Sequence, residues 1–152
     1  MTRMTAKVGD IVQIPLGDGT FGYGYVLDEP LIVFLDRRDR GEARDFDELV
    51  KRPAAFRIWV RNRPKKGGIW PVVGHVTPTP EALEPVPFFK QDAISRELSI
   101  TYDGGAEVPA TADDCRDLER AAVWDTDHVA DRLIDYFEGR TNKWVQSLRM
   151  KD

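Results

Sequence analysis

Lys7–Leu27, KVGDIVQIPLGDGTFGYGYVL, is the stretch on which the fold turns. Its first arm alternates Val12, Ile14 and Leu16 against Ile11, Gln13 and Pro15, and its second alternates Phe21, Tyr23 and Tyr25 against Gly22, Gly24 and Val26. A period of two is the strand period. Gly17-Asp18-Gly19 between the arms supplies the positive-φ positions of a tight reversal, and Asp-Gly is among the stronger hairpin signals. The stretch therefore predicts a β-hairpin. Gly22 and Gly24 strip one face of the second arm, which predicts tight coiling of the sheet or close packing against that face.

The same glycines, Gly17, Gly19 and Gly22, also spell G-x-G-x-x-G. In dinucleotide sites the last glycine opens a helix whose N-terminus holds the pyrophosphate, whereas here Tyr23, Tyr25, Val26 and Leu27 continue a strand. A kinase glycine loop does lie on a hairpin, but the chain is too short for a kinase and has no H-R-D or D-F-G. No nucleotide or other cofactor is expected.

Working outward, Asp28-Glu29-Pro30 marks a turn, and Leu31–Leu35 reads as a strand apolar on both faces. Asp36–Asp45, DRRDRGEARD, reads as a solvated loop. Ala55–Val60 predicts a strand with Phe56, Ile58 and Val60 on one face, Arg61–Gly68 a second basic loop, and Trp70–Val76 another strand. Four prolines in Thr77–Pro87 exclude regular structure and mark a crossover. Glu97–Tyr102 alternates so as to direct Leu98, Ile100 and Tyr102 inward. Thr111 and Asp114 are spaced as a capping box for a helix over Ala112–Arg120. The clearest helix is Asp127–Glu138, capped by Asp125 or Thr126, ended by Gly139, and striped by Val129, Ala130, Leu133, Ile134 and Phe137. Asn142–Met150 predicts a final turn or two.

The expected architecture is a single domain over residues 1–152, α+β but mainly β: a strongly curved antiparallel sheet of five to seven strands, or an SH3-like open barrel, with one or two C-terminal helices. At 152 residues it can bury a core without cross-links. The single cysteine, Cys115, suits a reducing compartment. The start lacks the apolar segment of a signal peptide and no run approaches a membrane span, so a soluble cytoplasmic protein without membrane contact is expected.

Charge is unevenly distributed. Residues 1–76 carry 13 Lys/Arg and 10 Asp/Glu, residues 77–152 carry 9 and 16, and Asp103–Glu138 alone holds 11 acids against Arg116, Arg120 and Arg132. Such a surface disfavours nucleic acid and favours a basic partner. Asp127, Asp131 and Asp135, spaced i, i+4, i+8, predict an acidic ridge on the helix, joined by Glu138 and flanked by Asp113, Asp114 and Asp117. These seven are the candidate partner-binding residues. Arg132, three residues before Asp135, is expected to offset the repulsion along the ridge.

Catalytic signatures are missing. His75 and His128 form no H-E-x-x-H and have no second cysteine with which to build a zinc set, and Ser95, Ser99 and Ser147, the only serines, lack a nucleophile elbow. Cys115 beside Arg116 would have its thiolate favoured by the cation. The pair Asp113–Asp114 offers acid/base chemistry only in principle. No catalytic or metal-binding residue is assigned.

The combination Val8-Gly9-Asp10-Ile11, Ile14-Pro15-Leu16, Gly19-Thr20-Phe21-Gly22-Tyr23-Gly24, Leu31-Ile32-Val33-Phe34 and Trp70-Pro71-Val72-Val73-Gly74, followed by an acidic C-terminal helix, resembles the immunity protein 26 family of bacterial polymorphic toxin systems. That resemblance implies a small cytoplasmic antitoxin, mainly β, encoded beside a secreted toxin and protecting its producer by binding the toxin's catalytic domain, which for a basic surface could be a nuclease. The alternative is a nucleic-acid-binding or regulatory module on an SH3-like barrel. In it Arg37, Arg38 and Arg40 would converge with Arg61, Arg63, Lys65 and Lys66 on a rim where Trp70 and Tyr23 stack bases.

Overall fold

The computed structural model describes residues 7–28, 30–61, 70–102 and 105–151. Glu29 of the first turn, Arg63, Lys65 and Lys66 of the second basic loop, and Asp103 and Gly104 lie outside them.

The hairpin forms as read. β1 (Asp10–Pro15) pairs antiparallel with β2 (Phe21–Asp28), Ile11 facing Tyr25 and Ile14 facing Gly22. Gly17 and Gly19 take φ of 87° and 86° in the turn, and Asp18 accepts from the Thr20 amide and hydroxyl. Around this hairpin a six-stranded sheet is built from β3 (Leu31–Asp39), β4 (Ala54–Val60), β5 (Val72–His75) and β10 (Val123–Trp124), in the order β10-β4-β3-β2-β1-β5.

Because side chains alternate across a strand, this sheet has two cores. On one face Ile11, Tyr23, Tyr25, Val33 and Leu35 pack under Leu49 and Val50, at the end of the short helix α1 (Phe46–Leu49), and under Val76. On the other, Val12, Ile14, Phe34, Phe56 and Ile58 pack under Trp124 and helix α3 (Thr126–Glu138). The expected helix stripe is the buried one: Val129 and Leu133 are inaccessible, and Ala130, Ile134 and Phe137 join the same cluster. The bare face of β2 explains how α3 gets so close, since a Cβ on Gly22 would lie 3.1 Å from Leu133 Cδ1.

Several expectations need correction. Asp36–Asp39, read as loop, continues β3 opposite Phe21 and Gly22, because the carboxylate of Asp39 is satisfied by Tyr23 Oη and Arg37. The helix expected over Ala112–Arg120 is one turn, α2 (Ala112–Cys115); its capping box is present, but Glu119–Arg120 instead forms β9. Apart from the two-residue β10, which joins the edge of the first sheet, the strands of the second half form a second one, in which β6 (Phe88–Gln91), β7 (Leu98–Thr101), β8 (Val108–Ala110) and β9 are ordered β8-β7-β6-β9. There the fully buried residue of β7 is Thr101, while Leu98 and Ile100 are half-buried and Tyr102 is exposed. The architecture is α+β and mainly β, open rather than a closed barrel.

The two sheets meet where Trp59 packs on Phe88, ring centroids 4.5 Å apart. They are also joined through α3. Arg132, its side chain 11% exposed, makes two bonds to Glu119 of β9 at 3.0 and 2.6 Å while its guanidinium lies 3.9 Å over the Phe56 ring of β4.

Candidate partner-binding surface

The ridge on α3 forms, and its members are not equivalent. Asp127 and Asp131 are exposed on the outer face, where Asp131 accepts a 3.2 Å bond from Trp144 Nε1 of α4 (Lys143–Ser147). Trp144 in turn stacks on His128, centroids 3.6 Å apart at 12°, so the exposed acids border a fixed aromatic pair. Asp135 accepts from Asn142 Nδ2 at 2.9 Å and Arg140 Nε at 3.1 Å, tying the end of α3 to the start of α4. Glu138 receives Arg38 Nη1 at 2.6 Å, and the same guanidinium holds Asp18 at 2.6 Å. Arg38 thus clasps the hairpin turn to the helix end. The offset expected from Arg132 does not occur, since Arg132 is turned toward Glu119; Arg140 takes its place beside Asp135.

The flanking acids sit elsewhere. Asp113 is 87% exposed and pairs with Arg116, Asp114 is occupied by the capping box with Thr111, and Asp117 is exposed. These three accompany α2, which rests against β7 of the smaller sheet, whereas the ridge lies over the larger one. The structure therefore offers two acidic areas rather than one stack.

The basic rim needed for base stacking does not assemble among the described residues. Tyr23 is inaccessible, its hydroxyl donating to Asp39 at 2.7 Å, and burial followed by that carboxylate pushes its phenol pKa up. Arg37 is bound to Asp39, Arg38 to Asp18 and Glu138, and Arg61 to Asp125. Trp70 stands edge-on to Phe34 at 5.7 Å.

The remaining reactive groups have structural settings. Cys115 is 1% exposed. Burial and then Asp114 push its thiol pKa up, the reverse of the effect expected from Arg116. His75 Nδ1 lies 3.0 Å from Asp10, on neighbouring strands β5 and β1. Among the described residues no group of three or more His, Cys, Asp and Glu is placed to hold a metal ion, and no helix is long and apolar enough to cross a membrane.

One conspicuous surface feature went unread in the sequence. Ile94 is 94% exposed on the turn between β6 and β7; the turn's signals, Asp92 and Ser95, are single residues in a segment without glycine or proline.

No curated protein and no solved structure matches the chain. The model of a family described as immunity protein 26 matches residues 7–99. The matched span runs from the first hairpin through the whole β1–β5 core to the start of β7. On that match, which covers well over half its length, the chain belongs to the immunity protein 26 family.

Proposed function

We propose that the chain is the antitoxin of a polymorphic toxin system, binding a cognate secreted toxin in the cytoplasm and occluding its active site or substrate groove without chemistry of its own. The family match over residues 7–99 carries this reading. The rigid double-cored sheet supports it as a scaffold, and the solvated carboxylates of Asp127, Asp131, Asp113 and Asp117 support a partner with a basic surface, as a nuclease has. Asp135 and Glu138 fix the end of the ridge, and Asp114 fixes the start of α2 in the other acidic area. Charge complementarity of this kind acts mainly on encounter, and it raises association rates most at low ionic strength.

The test is co-expression with the catalytic domain of the secreted protein encoded beside this chain, followed by stopped-flow association of the purified pair. Asp127→Lys together with Asp131→Lys is expected to slow association about tenfold at low salt with folding intact. A parent that neither binds nor protects overturns the antitoxin reading; an unaltered rate in the reversed protein removes the ridge from the interface.

A further inference from the structure

Two polar groups on the α1 side of the larger sheet are left without partners, and the strand register sets them in one row. Tyr25 of β2 is opposite Val33 of β3, and Val33 is opposite Arg57 of β4; residues opposite one another across a sheet share a face. That face is the one away from α3. Tyr25 is 3% exposed, yet its hydroxyl makes no hydrogen bond among the described residues. Tyr23 on the same face shows the ordinary arrangement, its hydroxyl donating to Asp39. Arg57 is the one half-buried arginine among the described residues with neither an ion pair nor a hydrogen bond. Arg37, Arg38, Arg61, Arg120 and Arg132, buried to a similar degree, are all engaged. Buried polar groups are ordinarily satisfied, and a partly desolvated cation without a partner is more costly still.

Both groups line one cavity of about 450 Å³, a size usual for ligand sites. Its walls are apolar where Val33, Leu35 and Val50 meet Ala82 of the proline-rich crossover. Thr79 Oγ accepts from the Ala82 amide at 3.2 Å, which fixes the crossover wall. The other cations at the cavity are committed, Lys51 to Glu48 at 3.5 Å and Arg52 Nε to the Asp36 carbonyl at 2.6 Å. Glu81, the one acid lining it, is exposed and forms no ion pair with Arg57. Burial pushes the Tyr25 phenol pKa up and the Arg57 guanidinium acts against it, so at neutral pH the hydroxyl is a donor lying within the field of the cation.

The chemistry of the cavity selects its occupant. A guanidinium fork matches a carboxylate in plane and spacing, and a phenol hydroxyl adds one further donor to the same oxygens. One uncommitted cation balances one negative charge, and the apolar walls suit a hydrocarbon body. We propose that this cavity binds a small monocarboxylate with an apolar body, its carboxylate on Arg57 and the Tyr25 hydroxyl and its hydrocarbon part against Val33, Leu35 and Ala82. The proposal does not rest on the antitoxin reading, since the cavity and the acidic ridge lie on opposite faces of the larger sheet.

The experiment titrates the full chain with benzoate and isobutyrate, and with benzamide and inorganic phosphate as controls, following the NMR signals of Arg57 Nε–H and the Tyr25 ring. Saturable binding of the two acids with a Kd of about 1 mM or tighter is expected, the range open to ligands of this size. Benzamide, which keeps the ring and loses the charge, is expected to bind at least about tenfold more weakly. Arg57→Met should weaken benzoate at least about tenfold and Tyr25→Phe about threefold to tenfold. Arg57→Met should also melt no lower than the parent, because in the free protein the guanidinium bonds to nothing. Signals unmoved by either acid up to about 10 mM, or benzoate affinity retained in both variants, overturn the site. Benzamide binding as tightly as benzoate, or phosphate more tightly than either acid, overturns the monocarboxylate assignment.

Discussion

Gly24→Ala is expected to destabilise the protein far more than Gly22→Ala, although the two glycines lie on the same face of the same strand two residues apart. A Cβ on Gly24 would lie 2.8 Å from the Val33 carbonyl oxygen and 3.1 Å from both Ile32 Cγ2 and Phe34 Cδ1. The first of these is backbone, held in the β2–β3 ladder between paired residues, so relief requires the strands to shift by about half an ångström. Overpacking of that kind costs about 1–3 kcal/mol. A Cβ on Gly22 meets only the end of Leu133 at 3.1 Å, which a small adjustment of α3 can relieve. Replacing a strand glycine also reduces the entropy of the unfolded chain, a gain of about 0.4–1 kcal/mol at either site. The net expectation is a loss of about 1–1.5 kcal/mol at Gly24, or roughly 2–6 °C in Tm for a chain of this size, and a change within about 0.5 kcal/mol at Gly22. Thermal and urea melts of the two variants decide it. Equal midpoints, or a greater loss at Gly22, would refute the assignment of the tight contact to the β2–β3 backbone and place it at the helix.

Arg132→Met leaves the Glu119 carboxylate without its two-bond partner and removes the cation above Phe56; because Glu119 retains 30% exposure, the expected cost is about 2–3 kcal/mol rather than the larger figure for a fully buried pair, read as a fall in the urea midpoint. Asp39→Asn tests pH dependence. Burial acts upward on the Asp39 carboxyl, but Tyr23, the Gly41 amide and Arg37 together hold it below the usual carboxylate value. Its contribution is therefore complete above about pH 4, the unfolded value, and is lost as pH falls through the lower folded one. The difference in Tm between parent and variant should be greatest near neutrality and shrink as pH falls below about 4. A difference that widens on acidification would contradict that linkage.

Local chemistry alone determined the elements whose signals are short-range. The β1–β2 hairpin follows from alternation around Gly17-Asp18-Gly19, the capping box from Thr111 and Asp114, and α3 from its apolar stripe and the left-handed Gly139 that ends it. The fully apolar run Leu31–Leu35 likewise announced a strand with a core on each side. What tertiary structure decided was every feature whose partner is distant in the chain. β9 and β10 are two residues each and exist because Phe88–Phe89 and Trp59–Val60 offer them edges to pair with in parallel. Asp39 ends a strand instead of lying in a solvated loop because Tyr23, sixteen residues earlier, satisfies it. Glu138, read as part of a free ridge, belongs to Arg38, one hundred residues away. A helical spacing shows which face a carboxylate occupies, but its availability to a partner depends on which cation the fold brings within reach. That pairing is set by chain-distant packing, which no local period encodes.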